Sequence, residues 1–279
     1  MLSSRNNMRA NRKTILNKPE LERLYVFYNS RKWVHPDPLE FLYGYEDLKD
    51  REVAGFIASS LAYGRVAQIL KSVSGVLDKM GPSPHNFLLS ATPSYLLRIY
   101  SDFKHRFTTG EELALVLIGL KSVIQRFGSL YNCFFSGFHN HHETVLGGLS
   151  FLVNELRSNL NCRSNSLLPL PERGSACKRL NLFLRWMVRE DNVDPGGWNR
   201  VSPAKLCIPL DTHMHRICLS LGLTGRKNAD MKTTLEITSA FHAIEPDDPV
   251  RYDFALTRLG IRKDADLGAF LGGKMCSSA

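Results

Sequence analysis

No run of this sequence is apolar for long enough to cross a bilayer. The longest, Leu113 to Leu120, falls far short of the roughly 20 residues a spanning helix needs. Cysteine is sparse and unpatterned. The six, at 133, 162, 177, 207, 218 and 276, include no CxxC pair. That spacing argues against a zinc ribbon, an iron–sulfur cluster or a disulfide framework, and it predicts reduced thiols in a reducing, cytoplasmic compartment. Acidic residues are missing altogether from the first 18 positions, where Arg5, Arg9, Arg12, Lys13 and Lys18 supply five of the nine net positive charges. With no apolar run in it, this segment is not a secretory signal. It reads as a disordered basic tail over residues 1–18, with an organelle transit peptide or an alternative start at Met8 as the other accounts. The remaining chain keeps about +4, which permits nucleic-acid binding without demanding it. Strict two-residue alternation is also nearly absent, and with it any sign of a sheet.

What is present is helical periodicity. Apolar content of 43% and charged content of 23% are those of a globular chain. Helices are predicted over residues 19–30, 50–62, 66–80, 94–101, 110–127, 129–138, 144–158, 176–190, 212–221, 232–244 and 249–260. The segment His35 to Phe41 (HPDPLEF) reads as a turn feeding a short helix, and Tyr63-Gly64-Arg65 as a break between two helices. Residues 159–171 (NLNCRSNSLLPLP) lose periodicity and are the predicted linker, and 192–205 form a polar Pro/Gly/Trp loop. The fold class is all-α.

Two stretches carry candidate chemistry. In Gly174 to Arg189 (GSACKRLNLFLRWMVR), Lys178, Asn181, Arg185 and Arg189 fall within about 80° on one helical face, a basic stripe on an apolar helix. Such a stripe belongs at a cleft or at a solvated surface, because lone buried cations are costly. Gly174, Ser175 and Ala176 precede the helix, where free N–H groups favour a phosphate or simply a cap. In Ile208 to Leu223, Asp211 reads as a helix N-cap, and the Asp-x-His-x-His pattern invites a metal. On a helix, His213 and His215 point about 160° apart and do not share one ion, while Asp211 and His215 alone are too few. A second cluster, His139, His142 and Glu143, is the other metal candidate, for a hydrolase.

Together these stretches resemble the helix-hairpin-helix DNA glycosylase superfamily, the group of endonuclease III and the 8-oxoguanine glycosylases. Residues 170–178 (LPERGSACK) are similar to the family's hairpin, with Lys178 at the lysine nucleophile of its bifunctional members. Residues 210–216 (LDTHMHR) are similar to the segment bearing the catalytic aspartate, placed at Asp211. Residues 252–260 (YDFALTRLG) resemble the closing helix, and 56–62 (FIASSLA) the barrel helix whose end carries the DNA-probing loop. The chain departs from the pattern in keeping only Gly174 of the hairpin's glycine pair, in the insert around Asp194 to Trp198, and in lacking the four-cysteine cluster. The whole chain is also similar to a widespread bacterial family of unknown function, which shares the KRLNLFLRWMVR and PLDTH blocks.

The resemblance implies a two-lobed helical fold, with residues 45–160 as a barrel-like lobe and residues 19–44 plus 166–279 as a second lobe bearing a degenerate hairpin. It implies a base-excision glycosylase or abasic-site lyase acting on a flipped nucleotide, with Lys178 as nucleophile and Asp211 as electrostatic partner. The implied DNA contacts are Tyr63, Gly64, Arg65, Gly174, Ser175, Arg185, Arg189 and His213, with Tyr63 either a wedge in the duplex or packed into the core. It implies no metal and no organic cofactor, double-stranded damaged or abasic DNA as partner, no membrane, and a monomer. Beside this stand a non-catalytic nucleic-acid binder on the same scaffold and the metal-dependent hydrolase.

Overall fold

The computed structural model describes residues 18–158 and 164–261. The basic tail up to residue 17, residues 159–163 of the linker, Cys276 and the end of the second expected lobe lie outside the described residues. The described chain is mostly helical: α1 (Lys18–Tyr28), α2 (Leu48–Ser60), α3 (Val66–Leu77), α4 (Pro84–Ser90), α5 (Pro93–Ile99), α6 (Gly110–Phe127), α7 (Leu130–Ser136), α8 (Leu146–Arg157), α9 (Lys178–Val188), α10 (Thr212–Ser220), α11 (Met231–His242) and α12 (Asp253–Ile261). The ends are set by local chemistry. Asp47 caps α2 by accepting from the N–H groups of Lys49 and Asp50. Helix α6 opens with a Thr109–Glu112 capping box and closes on Gly128 at φ 81. Ser83-Pro84 and Thr92-Pro93 start α4 and α5 with a capping hydroxyl followed by proline.

One sheet element was not expected. Residues Lys104–His105 (β1) and Thr108–Thr109 (β2) pair antiparallel around a two-residue tip, Arg106-Phe107. Helix α4 was also not expected; at seven residues it is too short to show a period.

Helix α2 is the hub, buried at every residue from Asp50 to Ser60 except Arg51, and packed against α9, α4, α7 and α3. Helices α6, α7 and α8 pack on one another, whereas α1, α10 and α12 form a second group. Between the groups, Phe56 meets Phe183 at 5.3 Å, and Phe183 meets Trp198 at 5.3 Å. Trp198 comes from the predicted polar loop yet is fully buried, and its indole N–H donates to Glu52 Oε1 at 2.9 Å. Glu52 Oε2 accepts from the first N–H of α7 at 2.8 Å. Burial pushes this carboxyl up to about 7.

The described part of the predicted linker is not a free tether. Leu167 and Leu168 are buried, and Asn165 Nδ2 donates to the Glu112 carbonyl at 2.8 Å. Cys133, Cys177, Cys207 and Cys218 are buried free thiols. Among the described residues no single helix is long and apolar enough to cross a membrane; α6 and α7 pass such a test only as a pair bent by 73°, and both face the core.

Candidate functional site

The chain encloses a cavity of about 880 Å³, a size that suits a nucleoside or similar small molecule. Its walls come from the α2–α3 turn, residues 32–38, the start of α9, residues 209–213 and α12. Lys178 and Asp211, 33 residues apart in sequence, both line it. Lys178 is the first residue of α9, and Asp211 caps α10.

The lysine is held by the end of another helix. Lys178 Nζ donates to the Ala62 carbonyl at 3.1 Å, and Arg179 Nη1 donates to the Ser60 carbonyl at 2.8 Å, both just past or within the last turn of α2. Arg179 Nη2 also donates to the Ser166 carbonyl. Unpaired carbonyls at a helix C-terminus favour cations, so α2 supplies the attraction that α9's own N-terminus withholds. Removal from water pushes the Lys178 ammonium below the ordinary lysine range. The carboxylates of Asp211, Asp37 and Asp253 pull it back, Asp211 most. Immediately before Lys178, Cys177 sits at φ 47 in the left-handed region, which a residue with a side chain adopts only when its surroundings hold it there.

Asp211 Oδ1 accepts from the Met214 N–H at 2.8 Å, and no second protein partner approaches its other oxygen among the described residues. That oxygen is available to a ligand. Two further carboxylates line the cavity that sequence reasoning did not single out. Asp37 is bound at Oδ1 by the Leu39 N–H at 3.0 Å and at Oδ2 by Arg258 at 2.5 Å. Asp253 is buried and accepts from Arg185 at 2.5 Å. Trp33, Phe254, Arg179 and Arg258 are among the other lining residues that sequence reasoning missed. Their only sequence signals are an acid inside His-Pro-Asp-Pro and another opening the apolar helix YDFALTRL.

The other expected contacts divide between the cavity wall and the chain around it. Arg185 lines the cavity and Arg189 does not, and both are buried, at 3% and 4% exposure, in ion pairs. Arg185 bonds Asp194 at 3.1 Å and Asp253 at 2.5 Å. Arg189 bonds Asp191 and Asp248 at 2.8 Å each, and Asp194 as well. The C-terminal half of the stripe is therefore neutralised from the insert at 191–194, from Asp248 and from the first residue of α12, which is how a buried cation becomes tolerable. Gly174 and Ser175 are exposed but lie off the cavity lining; the Gly174 carbonyl accepts from the Met231 N–H at 2.9 Å, tying the hairpin to α11. His213 lines the cavity, partly buried, with Arg216 3.4 Å from its Nδ1.

Tyr63 and Gly64 line the cavity, and Arg65 is exposed beside them. Of the two expectations for Tyr63, its contacts favour the packed side chain. Its hydroxyl donates to the His105 carbonyl at 2.9 Å and lies 2.6 Å from Thr108 Oγ1. The Arg179 guanidinium lies over its ring at 5.0 Å.

The metal candidates do not converge. His215 Nε2 is 2.8 Å from the Arg226 carbonyl and off the cavity lining. His139 stacks on His141, and His142 meets both rings edge-on. Among the described residues no group of three or more His, Cys, Asp or Glu side chains is arranged to hold a metal ion.

Comparison with known proteins gives one match. The family model described as "Protein of unknown function (DUF2400)" matches residues 37–262, and the chain belongs to that family. No curated protein and no solved structure matches.

Proposed function

We propose that this protein is a DNA base-excision enzyme, a glycosylase or abasic-site lyase that works on a nucleotide flipped out of the duplex. The fold would be of the helix-hairpin-helix glycosylase type, with residues 45–160 and residues 19–44 plus 166–279 as its lobes. The observation that supports this reading best is the pairing in one cavity of a lysine disfavoured as an ammonium with an aspartate that acts on it more strongly than any other acid. A deprotonated Lys178 amine attacks the sugar C1′ while the bond from C1′ to the base breaks, and the base leaves with that electron pair. Asp211, with an oxygen to spare, stabilises the cationic character that the sugar develops. The C1′–O4′ bond then breaks, with the amine proton passing to O4′, to give a Schiff base, and loss of a C2′ proton expels the 3′ phosphate and cleaves the strand. A cavity large enough for the extruded nucleoside is what such an enzyme requires.

The test is borohydride trapping on duplex DNA bearing an abasic site. The expected result is a covalent adduct that Lys178→Ala abolishes and that Asp211→Asn slows by orders of magnitude, while binding persists. An adduct that survives Lys178→Ala assigns the nucleophile elsewhere, and activity lost to a chelator points to a metal-dependent hydrolase. One observation favours the non-catalytic binder instead. Lys178 already bonds Ala62, and Asp211 already caps α10, so both have structural work. Tight binding with no adduct from the wild-type protein decides for that reading.

A further inference from the structure

The hairpin β1–β2 presents Phe107 to solvent with 62% of its surface exposed, the most exposed aromatic side chain among the described residues. Its ring stacks on the cavity-lining Tyr63, with centroids 4.9 Å apart and planes at 27°. Exposing a phenylalanine forfeits the burial that would otherwise favour it, about 2 kcal/mol.

The platform beneath Phe107 is nevertheless built rigidly. His105 and Thr108, on either side of the tip, are fully buried. His105 Nδ1 lies 2.9 Å from Ser72 Oγ, and its Nε2 lies 3.0 Å from the Tyr63 carbonyl. Tyr63 bonds back to both strands through its hydroxyl. Arg106, beside Phe107, is held at φ 54, a conformation that costs a residue with a side chain about 1 kcal/mol or more. Its stem packs so closely on Gly64 that a Cβ there would come within 2.8 Å of Arg106 Cδ. Lys104, Arg106 and Arg65 are exposed around this tip and enter no ion pair among the described residues. A flat apolar ring stacked on a cavity-lining residue, among exposed cations, matches a nucleic-acid strand, in which flat bases alternate with phosphates.

We propose that Phe107 is a stacking platform for a nucleobase of the strand that enters the cavity, with Arg106 and Arg65 neutralising the adjoining phosphates. Tyr63 serves from beneath, as the fixed support of that ring. The assignment rests on the nucleic-acid reading above but not on its chemistry.

The experiment measures equilibrium binding of the full chain to a labelled duplex carrying an abasic-site analogue and to a labelled single strand. Phe107→Ala is expected to weaken both by about tenfold or more, the usual worth of one stacked base. Tyr95→Ala, an exposed aromatic on α5 off the cavity lining, is expected to leave them unchanged. Phe107→Trp should retain binding and add a fluorescence signal, above that of the three native tryptophans, that an unlabelled strand quenches. Arg106→Ala should lower the salt dependence by about one charge. Wild-type affinity in Phe107→Ala, or an unquenched Phe107→Trp, overturns the assignment even if trapping at Lys178 succeeds. Weakened binding in Phe107→Ala with no trapping by the wild type upholds Phe107 and removes the catalytic reading. A wild-type protein that binds neither oligonucleotide overturns both.

Discussion

Helix α9 carries cations at both ends, and the fold treats the two ends in opposite ways. Toward its C-terminus, Arg185 and Arg189 are buried against Asp191, Asp194, Asp248 and Asp253. At its N-terminus, Lys178 and Arg179 have no carboxylate within ion-pair distance among the described residues; they lean on main-chain carbonyls at the end of α2 and face the cavity. One end is electrostatically saturated and the other is left with charge to use. A basic stripe read from sequence does not distinguish the two, because the neutralising acids arrive from an insert and from a helix 68 residues further along.

The sharpest way to break this comparison is to truncate one cation at each end. Arg185→Ala strands buried carboxylates and is expected to cost about 3–5 kcal/mol in chemical denaturation. Lys178→Ala is expected to cost less than about 1 kcal/mol, because water in the cavity can replace its single bond. Equal costs at the two ends would make Lys178 as structural as Arg185.

Glu52 offers a second contrast, as a buried acid with no cation bonded to it. Its carboxyl is raised from 4.5 to about 7 by burial. The folded state therefore holds the proton more tightly than the unfolded chain. That contribution is fully present below about pH 4.5 and is lost as the pH rises through about 7. The loss is of the order of 3 kcal/mol. Glu52→Gln should flatten the stability profile over that window; an unchanged slope would show that other groups set it.

Arg179 tests whether shape or charge matters at the open end. Its guanidinium bonds the Ser60 and Ser166 carbonyls and lies over Tyr63. Arg179→Ala should cost about 1–3 kcal/mol, and Arg179→Lys should recover little of it, because an ammonium does not reproduce the planar fork. Full recovery with lysine would reduce the residue to a point charge. A smaller effect than that of Arg179→Ala belongs to Gly64→Ala. The φ of 101 at that position strains any side chain, for a loss of about 1 kcal/mol. Adding Arg106→Ala should relieve the clash but not the backbone strain, and complete rescue would show that packing alone sets the glycine.

The long helices were legible because their periodicity is strong. Residues 110–127 were predicted to the residue, and α2, α8 and α9 within about two. Short elements were not. The six-residue hairpin 104–109 has no glycine or asparagine at its turn, since Arg106 takes the left-handed position, so the usual hairpin signal is absent. Trp198 and Leu168 were placed in polar loops because sequence windows average over neighbours, while burial is decided by what folds back from far away. At the candidate site, Lys178 and Asp211 stood out through motif resemblance. Asp37, Asp253 and Arg258 did not, because their association depends on α12 packing against α1 and on residues from opposite ends of the chain closing one wall.

The bond from Lys178 to Ala62 spans 116 positions of chain. A loop that long closes only once α2 and α9 have met, so the depressed basicity of this lysine is a property of the finished fold and of no fragment of it. While the polypeptide is being made, or whenever it opens, Lys178 returns to the basicity of an exposed lysine. Folding therefore sets the basicity of this amine: the shift exists only where α2, α9 and the cavity wall have come together.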